Sequence, residues 1–199
     1  MKELRTMRNT DVEEAVRAAS DRLASRAARR GLVDVAFATM DSPIGELLVA
    51  RTPRGLVRLA YDNEGGWTAV LEDLAHDLSP RVLNETRALD PVRRQLDQYF
   101  EGRRRSFTVP VDLSLVRGFT TKVLDVTARI PFGSVSTYGR VAAMAGSPRA
   151  ARAAGNALHD NPVPIVVPCH RVIHADGGLG GYGGRLDRKE FLLRLEGAL

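Results

Sequence analysis

Cys169, His170 and Arg171 stand in a row, and Cys169 is the only cysteine among 199 residues. A soft nucleophile, a titratable base and a fixed cation side by side are the parts of a nucleophilic centre. A free thiol has a pKa of about 8.5, so it needs help to ionise near neutral pH. The approach to it, Asn161-Pro162-Val163-Pro164-Ile165-Val166-Val167-Pro168, is stiff. Each proline fixes its own φ and biases the residue before it toward extended backbone. Ile165-Val166-Val167, between two prolines, reads as a short buried strand. Neighbours in an extended segment point to opposite faces, so His170 meets the thiol only through a bridging water or a turn at Cys169-His170. Glu196 can hold the imidazole from its other nitrogen, which completes thiol, base and orienter. A carboxylate in the last turn of a helix costs about 0.5 kcal/mol against the helix dipole, and a histidine partner offsets that. The competing reading is a buried structural cysteine, and the residues around Cys169 argue against it.

The elements that must position this centre follow from spacing and turn residues. Residues 10–30 predict a helix, with Thr10 and Glu13 as a capping box and Gly31 as its stop. Val12, Val16, Ala19, Leu23 and Ala27 form its thin apolar stripe. It is either a surface helix docked weakly on the body or, through Arg17, Arg22, Arg26, Arg29 and Arg30, a basic arm for phosphates. Val33–Met40, Glu46–Arg51 and Leu56–Tyr61 read as an antiparallel meander between turn clusters. Helices follow at Trp67–Leu78 and from Asp90-Pro91 to Gly102, the latter with Leu96, Tyr99 and Phe100 as core residues. Nothing in residues 33–110 has the look of a catalytic constellation.

From about residue 117 the pattern is helical. One helix carries Phe119, Val123, Val126 and Ile130 on one face and stops at Pro131-Phe132-Gly133. Tyr138–Ala145 is capped by Ser136 or Thr137, and a third helix runs from Pro148 to about His159 across the tight Gly146-Ser147 link. This is a helix-turn-helix outline. The third helix is nearly all Ala and Gly apart from Arg149, Arg152 and Asn156 on one face. Such a surface suits close helix packing or close approach to a nucleic-acid groove, where it would bind shape and phosphate rather than read bases. Gly177 to Gly184 is glycine-dense without a phosphate-loop fingerprint, so it reads as a pocket lining with Tyr182 as its wall. The last helix runs Asp187–Glu196, with Asp187 as cap. The expected fold is α+β: a helical extension over 1–32, a small antiparallel-sheet-plus-helix domain over 33–112, and a mostly helical, helix-turn-helix domain over 113–199.

Composition is that of an ordinary globular chain, with 44% hydrophobic and 27% charged residues. No apolar run approaches the ~20 residues of a membrane span, and no signal-peptide core opens the chain. A lone cysteine fits a reducing, cytoplasmic location. The net charge of +5 favours a polyanionic partner weakly. Its basic residues are nearly all arginine, a skew that base composition explains for most of them.

Asn161-Pro162-Val163-Pro164-Ile165 followed by Pro168-Cys169-His170-Arg171-Val172 closely resembles the active-site signature of the O6-methylguanine-DNA methyltransferases. The resemblance extends through Phe119-Thr120, Pro131-Phe132-Gly133, Thr137-Tyr138, Gly146-Ser147-Pro148, Ala151 to Gly155, Gly181 to Gly184, Lys189 and Glu196-Gly197. That covers about the last 80 residues, with a looser fit in front. The resemblance implies direct-reversal repair, with irreversible single-turnover transfer of the alkyl group from O6-alkylguanine in DNA to Cys169. It leaves O4-alkylthymine open as a second substrate. It implies a DNA-binding and alkyl-acceptor catalytic domain over 113–199, contact with double-stranded DNA through the minor groove, and a flipped O6-alkylguanine in a pocket. In the family pattern Cys169, His170, Glu196, Tyr138, Asn161 and Lys189 are catalytic. Thr120, Tyr138, Gly139, Ser147, Arg149 and Arg152 bind DNA, with Arg152 filling the gap in the duplex. Val172, Tyr182, Gly183 and Gly184 form the substrate pocket. No cofactor is implied. The family's zinc-binding members use Cys and His ligands in the front domain, where this chain has only His76, so no metal site is expected. A monomer is expected, with cooperative assembly on DNA left open. The role of residues 10–30 lies outside the resemblance.

Two other classes compete. Relatives that sense alkylated DNA without repairing it carry tryptophan at the cysteine position, and Cys169 argues against that class here. A thiol hydrolase would need an oxyanion hole and an acyl substrate, and it would turn over.

Overall fold

The computed structural model describes residues 9–62 and 66–199. Helix α1 (Asn9–Arg29) ends as its glycine demands: Gly31 has φ 66, and the Leu32 N–H reaches back to the Ala27 carbonyl at 3.0 Å. Its apolar stripe docks little: Val12, Val16 and Leu23 are 43%, 60% and 69% exposed, Ala27 is half-buried, and Ala24 is buried among the described side chains. The Thr10–Glu13 capping pair lies outside the described side chains.

The sheet holds β1 (Val35–Met40), β2 (Leu47–Thr52), β3 (Gly55–Tyr61) and β4 (Val82–Asn84), in the order β3-β2-β1-β4. β1–β2 and β2–β3 pair antiparallel, as their turns predict, but β4 lies parallel to β1. The meander is therefore extended into a mixed sheet by a strand of three residues, too short to show an alternating pattern. Alternation sorts the longer strands into two faces. Val35, Leu48, Ala50 and Val57 pack with Leu74 of α2 (Thr68–Asp77). Ala38, Val49, Leu56 and Leu59 face α3 (Thr86–Phe100) and the C-terminal half. The Asp90-Pro91 pair, expected to open α3, lies inside it. The Glu85 carboxylate accepts the Ala88 N–H at 2.7 Å and starts the helix a turn earlier.

In the C-terminal half, α4 (Phe119–Thr127), α5 (Tyr138–Met144) and α6 (Ala151–His159) pack through Val123, Leu124, Val141, Ala142, Ala154 and Leu158. Thr137 caps α5 by accepting the Arg140 N–H at 3.3 Å. Pro148 falls in the turn before α6, which begins three residues later. β5 (Ser136–Thr137) pairs parallel with β6 (Val172–Ile173) and ties the helix-turn-helix to the segment after Cys169. α7 (Leu186–Leu195) starts without a side-chain cap, and Asp187 bonds Arg185 instead. The sheet and the helical half interlock by direct bonds. The Leu59 N–H donates to Pro162 O at 2.8 Å, and Arg188 donates to Ile44 O and Asp62 O at 3.2 and 3.0 Å. Among the described residues, no helix is long and apolar enough to cross a membrane.

Candidate active site

The proline segment is a turn, not the strand expected of it. Val167 N–H bonds Val163 O at 2.9 Å, Val166 N–H bonds Pro164 O at 2.9 Å, and Ile165 takes φ 72. A β-branched residue rarely adopts that conformation, and here buried neighbours enforce it. Asn161 braces the turn from within: its side chain donates to Val167 O at 2.8 Å and accepts from Val163 N–H at 3.1 Å. The turn delivers Cys169 as the first residue of a single 3-10 turn, Cys169–Arg171. Consecutive residues there are not forced to opposite faces.

Cys169 lines a cleft of about 1280 Å³ bounded by both halves of the molecule. Tyr61 comes from β3, Thr120 and Tyr138 from α4 and α5, Arg152 from α6, and Tyr182 and Gly183 from the glycine-rich loop. Burial pushes the thiol up from its ordinary pKa, opposed by hydrogen bonds from the Asn161 side chain and Tyr182 and by the charge of Lys189. Lys189 is itself buried, donates to the carbonyls of Val172 and Leu179, and is lowered by burial to about 8. The resting sulfur is thus a protonated thiol among groups that favour its anion, and its proton has to be removed.

The next residue in the chain is an imidazole buried more deeply than the thiol. His170 is fully buried, and its Nε2 sits 2.9 Å from Glu196 Oε1. Burial holds the imidazole below its usual pKa, and hence neutral. Burial raises the Glu196 carboxyl, but hydrogen bonds from His170, Arg171 and Tyr99 outweigh it and hold the group at about 2. A carboxylate at Nε2 fixes the proton there and leaves Nδ1 as the lone-pair nitrogen. Nδ1 is buried without a partner among the described residues.

Glu196 is a hub. Arg171 grips it with Nε and Nη2, both at 2.8 Å, and donates from Nη1 to Ile130 O. The Tyr99 hydroxyl donates at 2.6 Å and the Gly133 N–H at 3.3 Å. A Cβ at Gly133 would fall 2.9 Å from Glu196 O, so only glycine fits that approach. Gly180 plays a similar part against Tyr138, whose hydroxyl would be 2.5 Å from an added Cβ.

Of the residues singled out by sequence, Cys169, Asn161, Tyr138, Thr120, Arg152, Tyr182, Gly183 and Gly184 line the cleft. His170, Glu196, Lys189 and Val172 are buried behind it. Gly139 and Ser147 are half-buried in the helix-turn-helix, and Arg149 is exposed, all off the cleft. The sequence marks Tyr99 only as a core residue, Tyr61 only as the end of a strand and Arg171 only as a cation within the signature, and it gives Arg188 no part. The signal in Tyr61 and Tyr99 was a phenol at a core position, where the hydroxyl must find a partner.

A nucleophilic thiol on a helix-turn-helix scaffold, backed by a sheet unit, is the class that this fold and cleft define. Residues 35–113 match the family model described as 6-O-methylguanine DNA methyltransferase, ribonuclease-like domain, and residues 118–198 match its DNA binding domain. The chain is 36% identical over 163 residues to the constitutive methylated-DNA–protein-cysteine methyltransferase of Bacillus subtilis, covering 80% of this chain and 94% of that protein. It is 40% identical over 170 residues to the methylated-DNA–protein-cysteine methyltransferase of Mycolicibacterium paratuberculosis, covering 81% and 92%. The crystal structure of the Mycobacterium tuberculosis enzyme in complex with DNA superposes with a TM-score of 0.69 at 37% identity, covering 82% of this chain and 93% of that one. The chain belongs to the 6-O-methylguanine DNA methyltransferase family.

Proposed function

We propose that this protein repairs DNA by moving the alkyl group of O6-alkylguanine irreversibly onto Cys169, once per molecule. The observation that carries the reading is the relay behind the sulfur. A neutral, buried His170 is held by Glu196 with its free nitrogen turned away from the carboxylate. The helix-turn-helix meets the duplex from the minor groove, and Arg152 takes the place of the rotated guanine. Tyr138, at the N-terminus of α5 and on the cleft wall, crowds the phosphate and gives a proton to the departing base. Asn161 and Lys189 brace the pocket, and backbone groups near Cys169 and Val172 read the guanine edge.

In the chemical step a water passes the thiol proton to His170 as the sulfur attacks the alkyl carbon. The S–C bond forms, the C–O6 bond breaks, and the guanine leaves with its bonding pair and takes up one proton. The net change is one alkyl group moved to sulfur and one proton moved to guanine. The thioether offers no activated carbonyl to water, so the sulfur is not regenerated.

Incubation with an O6-methylguanine duplex should add one methyl group per chain, on the peptide that carries Cys169, and Cys169→Ala should take up none. Continued turnover, or an adduct elsewhere by peptide mass spectrometry, would refute the reading. Arg152→Ala should slow repair of duplex DNA about tenfold or more, because the unstacked state then goes unfilled at a cost of a few kcal/mol. Transfer from free O6-alkylguanine should stay within about twofold under the same reasoning. Equal loss on both substrates would rule out the gap-filling role.

A further inference from the structure

We propose that Tyr99, in α3 of the N-terminal half, is a positioning residue for the reaction: its buried hydroxyl holds the Glu196 oxygen that faces His170 and so limits the pull of that oxygen on the imidazole proton. The proposal rests on His170 being the base in the repair reading. It gives the N-terminal half a part in setting that base.

Glu196 Oε1 has three donors among the described residues: the Tyr99 hydroxyl at 2.6 Å, Arg171 Nη2 at 2.8 Å and His170 Nε2 at 2.9 Å. Oε2 has two, Arg171 Nε at 2.8 Å and the Gly133 N–H at 3.3 Å. A carboxylate oxygen offers about two lone pairs, so the three donors at Oε1 compete for them. Tyr99 can only donate here. The carboxylate is ionised and has no proton to give, and burial and the Glu196 charge push the phenol up, so it stays neutral. Its donation draws charge from Oε1 without adding a charge to the site. The carboxylate then orients the imidazole without making it so basic that it rests as the cation, and Nδ1 keeps its lone pair.

The ring is fixed in that pose. Tyr99 is fully buried, and the rings of Phe100, Phe107 and Phe132 lie 5.5, 5.4 and 6.3 Å from it between centroids. The Arg171 guanidinium lies 5.9 Å from the Phe132 centroid, so one ring braces both donors that compete with His170. The other charges near His170 are Arg171, beside it in the 3-10 turn, and Lys189 of α7. Both favour the neutral imidazole, and Lys189 is itself lowered only to about 8, above the range of His170. The neighbouring Cys169 thiol, raised by burial, is uncharged in that range.

Titration of the His170 ring nitrogens by NMR reads this arrangement without DNA, and His170→Gln picks their signals out of the four histidines. Tyr99→Phe should raise the His170 pKa by about half to one unit, because Oε1 then turns more fully to the Nε2 proton. With the base protonated at higher pH, single-turnover repair should fall about three- to tenfold further on the acid limb than on the alkaline plateau. An unchanged or lowered His170 pKa overturns the proposal. So does a loss of rate that is equal at every pH, because Tyr99 would then only order the site. Tyr99→Phe removes one oxygen, and a thermal melt checks its fold. Should it not fold, fluorotyrosine in place of Tyr99 alone keeps the bond and strengthens the donor. The His170 pKa should then move down, and no movement or a rise overturns the proposal. A wild-type protein that failed to take up methyl from DNA would refute the repair reading and leave this titration as it stands.

Discussion

Glu196→Gln is expected to slow alkyl transfer by about 100-fold or more, the scale of losing a correctly held general base. The amide can turn its N–H toward His170 Nε2. That places the imidazole proton on Nδ1 and removes the lone pair that faces away from Glu196. Single-turnover repair at neutral pH measures the loss, and a rate within threefold of wild type would contradict it. The same change alters acid stability. The carboxyl is held at about 2, below its ordinary value of 4.5. A group with a depressed folded pKa stabilises above its unfolded pKa, and that contribution fades as pH falls through the folded value. Wild type should therefore lose roughly 3 kcal/mol between about pH 5 and pH 2 through this group. Urea unfolding of Glu196→Gln should show a flatter profile across that window.

Arg171→Met is expected to destabilise the fold by about 3–5 kcal/mol, because it leaves a buried carboxylate without its bidentate partner. Both side chains are nearly solvent-free, at 7% and 0% exposure. Against a total stability of about 5–15 kcal/mol, this is a large fraction. Chemical denaturation measures it. Combining Arg171→Met with Glu196→Gln should cost less than the sum, since the stranded charge is then gone. Strict additivity would mean that the two side chains do not act as a pair.

Much of the scaffold was legible in the sequence because it rests on local signals. Gly31, Gly146 and Thr137 mark helix ends through backbone chemistry that operates within a few residues. The proline segment misled because Ile165-Val166-Val167 is a β-branched run, and such runs read as strand. The left-handed backbone at Ile165 is imposed by Asn161 and the packed neighbours, a tertiary constraint that spacing does not carry. β4 escaped because three residues hold no period. Tyr99 looked like a core aromatic and Tyr61 like the end of a strand, and they are partly that. Their hydroxyls bind partners 97 and 121 residues away, and no local pattern encodes such a reach. Glu196 stood out by its awkward place on the helix dipole. Its grip on Arg171 was invisible for the same reason of distance.

The cleft and the buried carboxylate behind it depend on β3, α3 and the C-terminal helices together, through Tyr61 on the cleft wall, Tyr99 on Glu196 and the Leu59–Pro162 bond. For a catalyst that recycles, a minority of intact molecules can carry the work of a damaged majority. Under the single transfer proposed above, the protein is consumed in use and has no such reserve. Its repair capacity in a cell is a headcount of molecules whose two halves are properly joined at the moment of encounter. A mild substitution far out in the sheet would then lower the number of lesions removed while leaving the rate of each removal untouched.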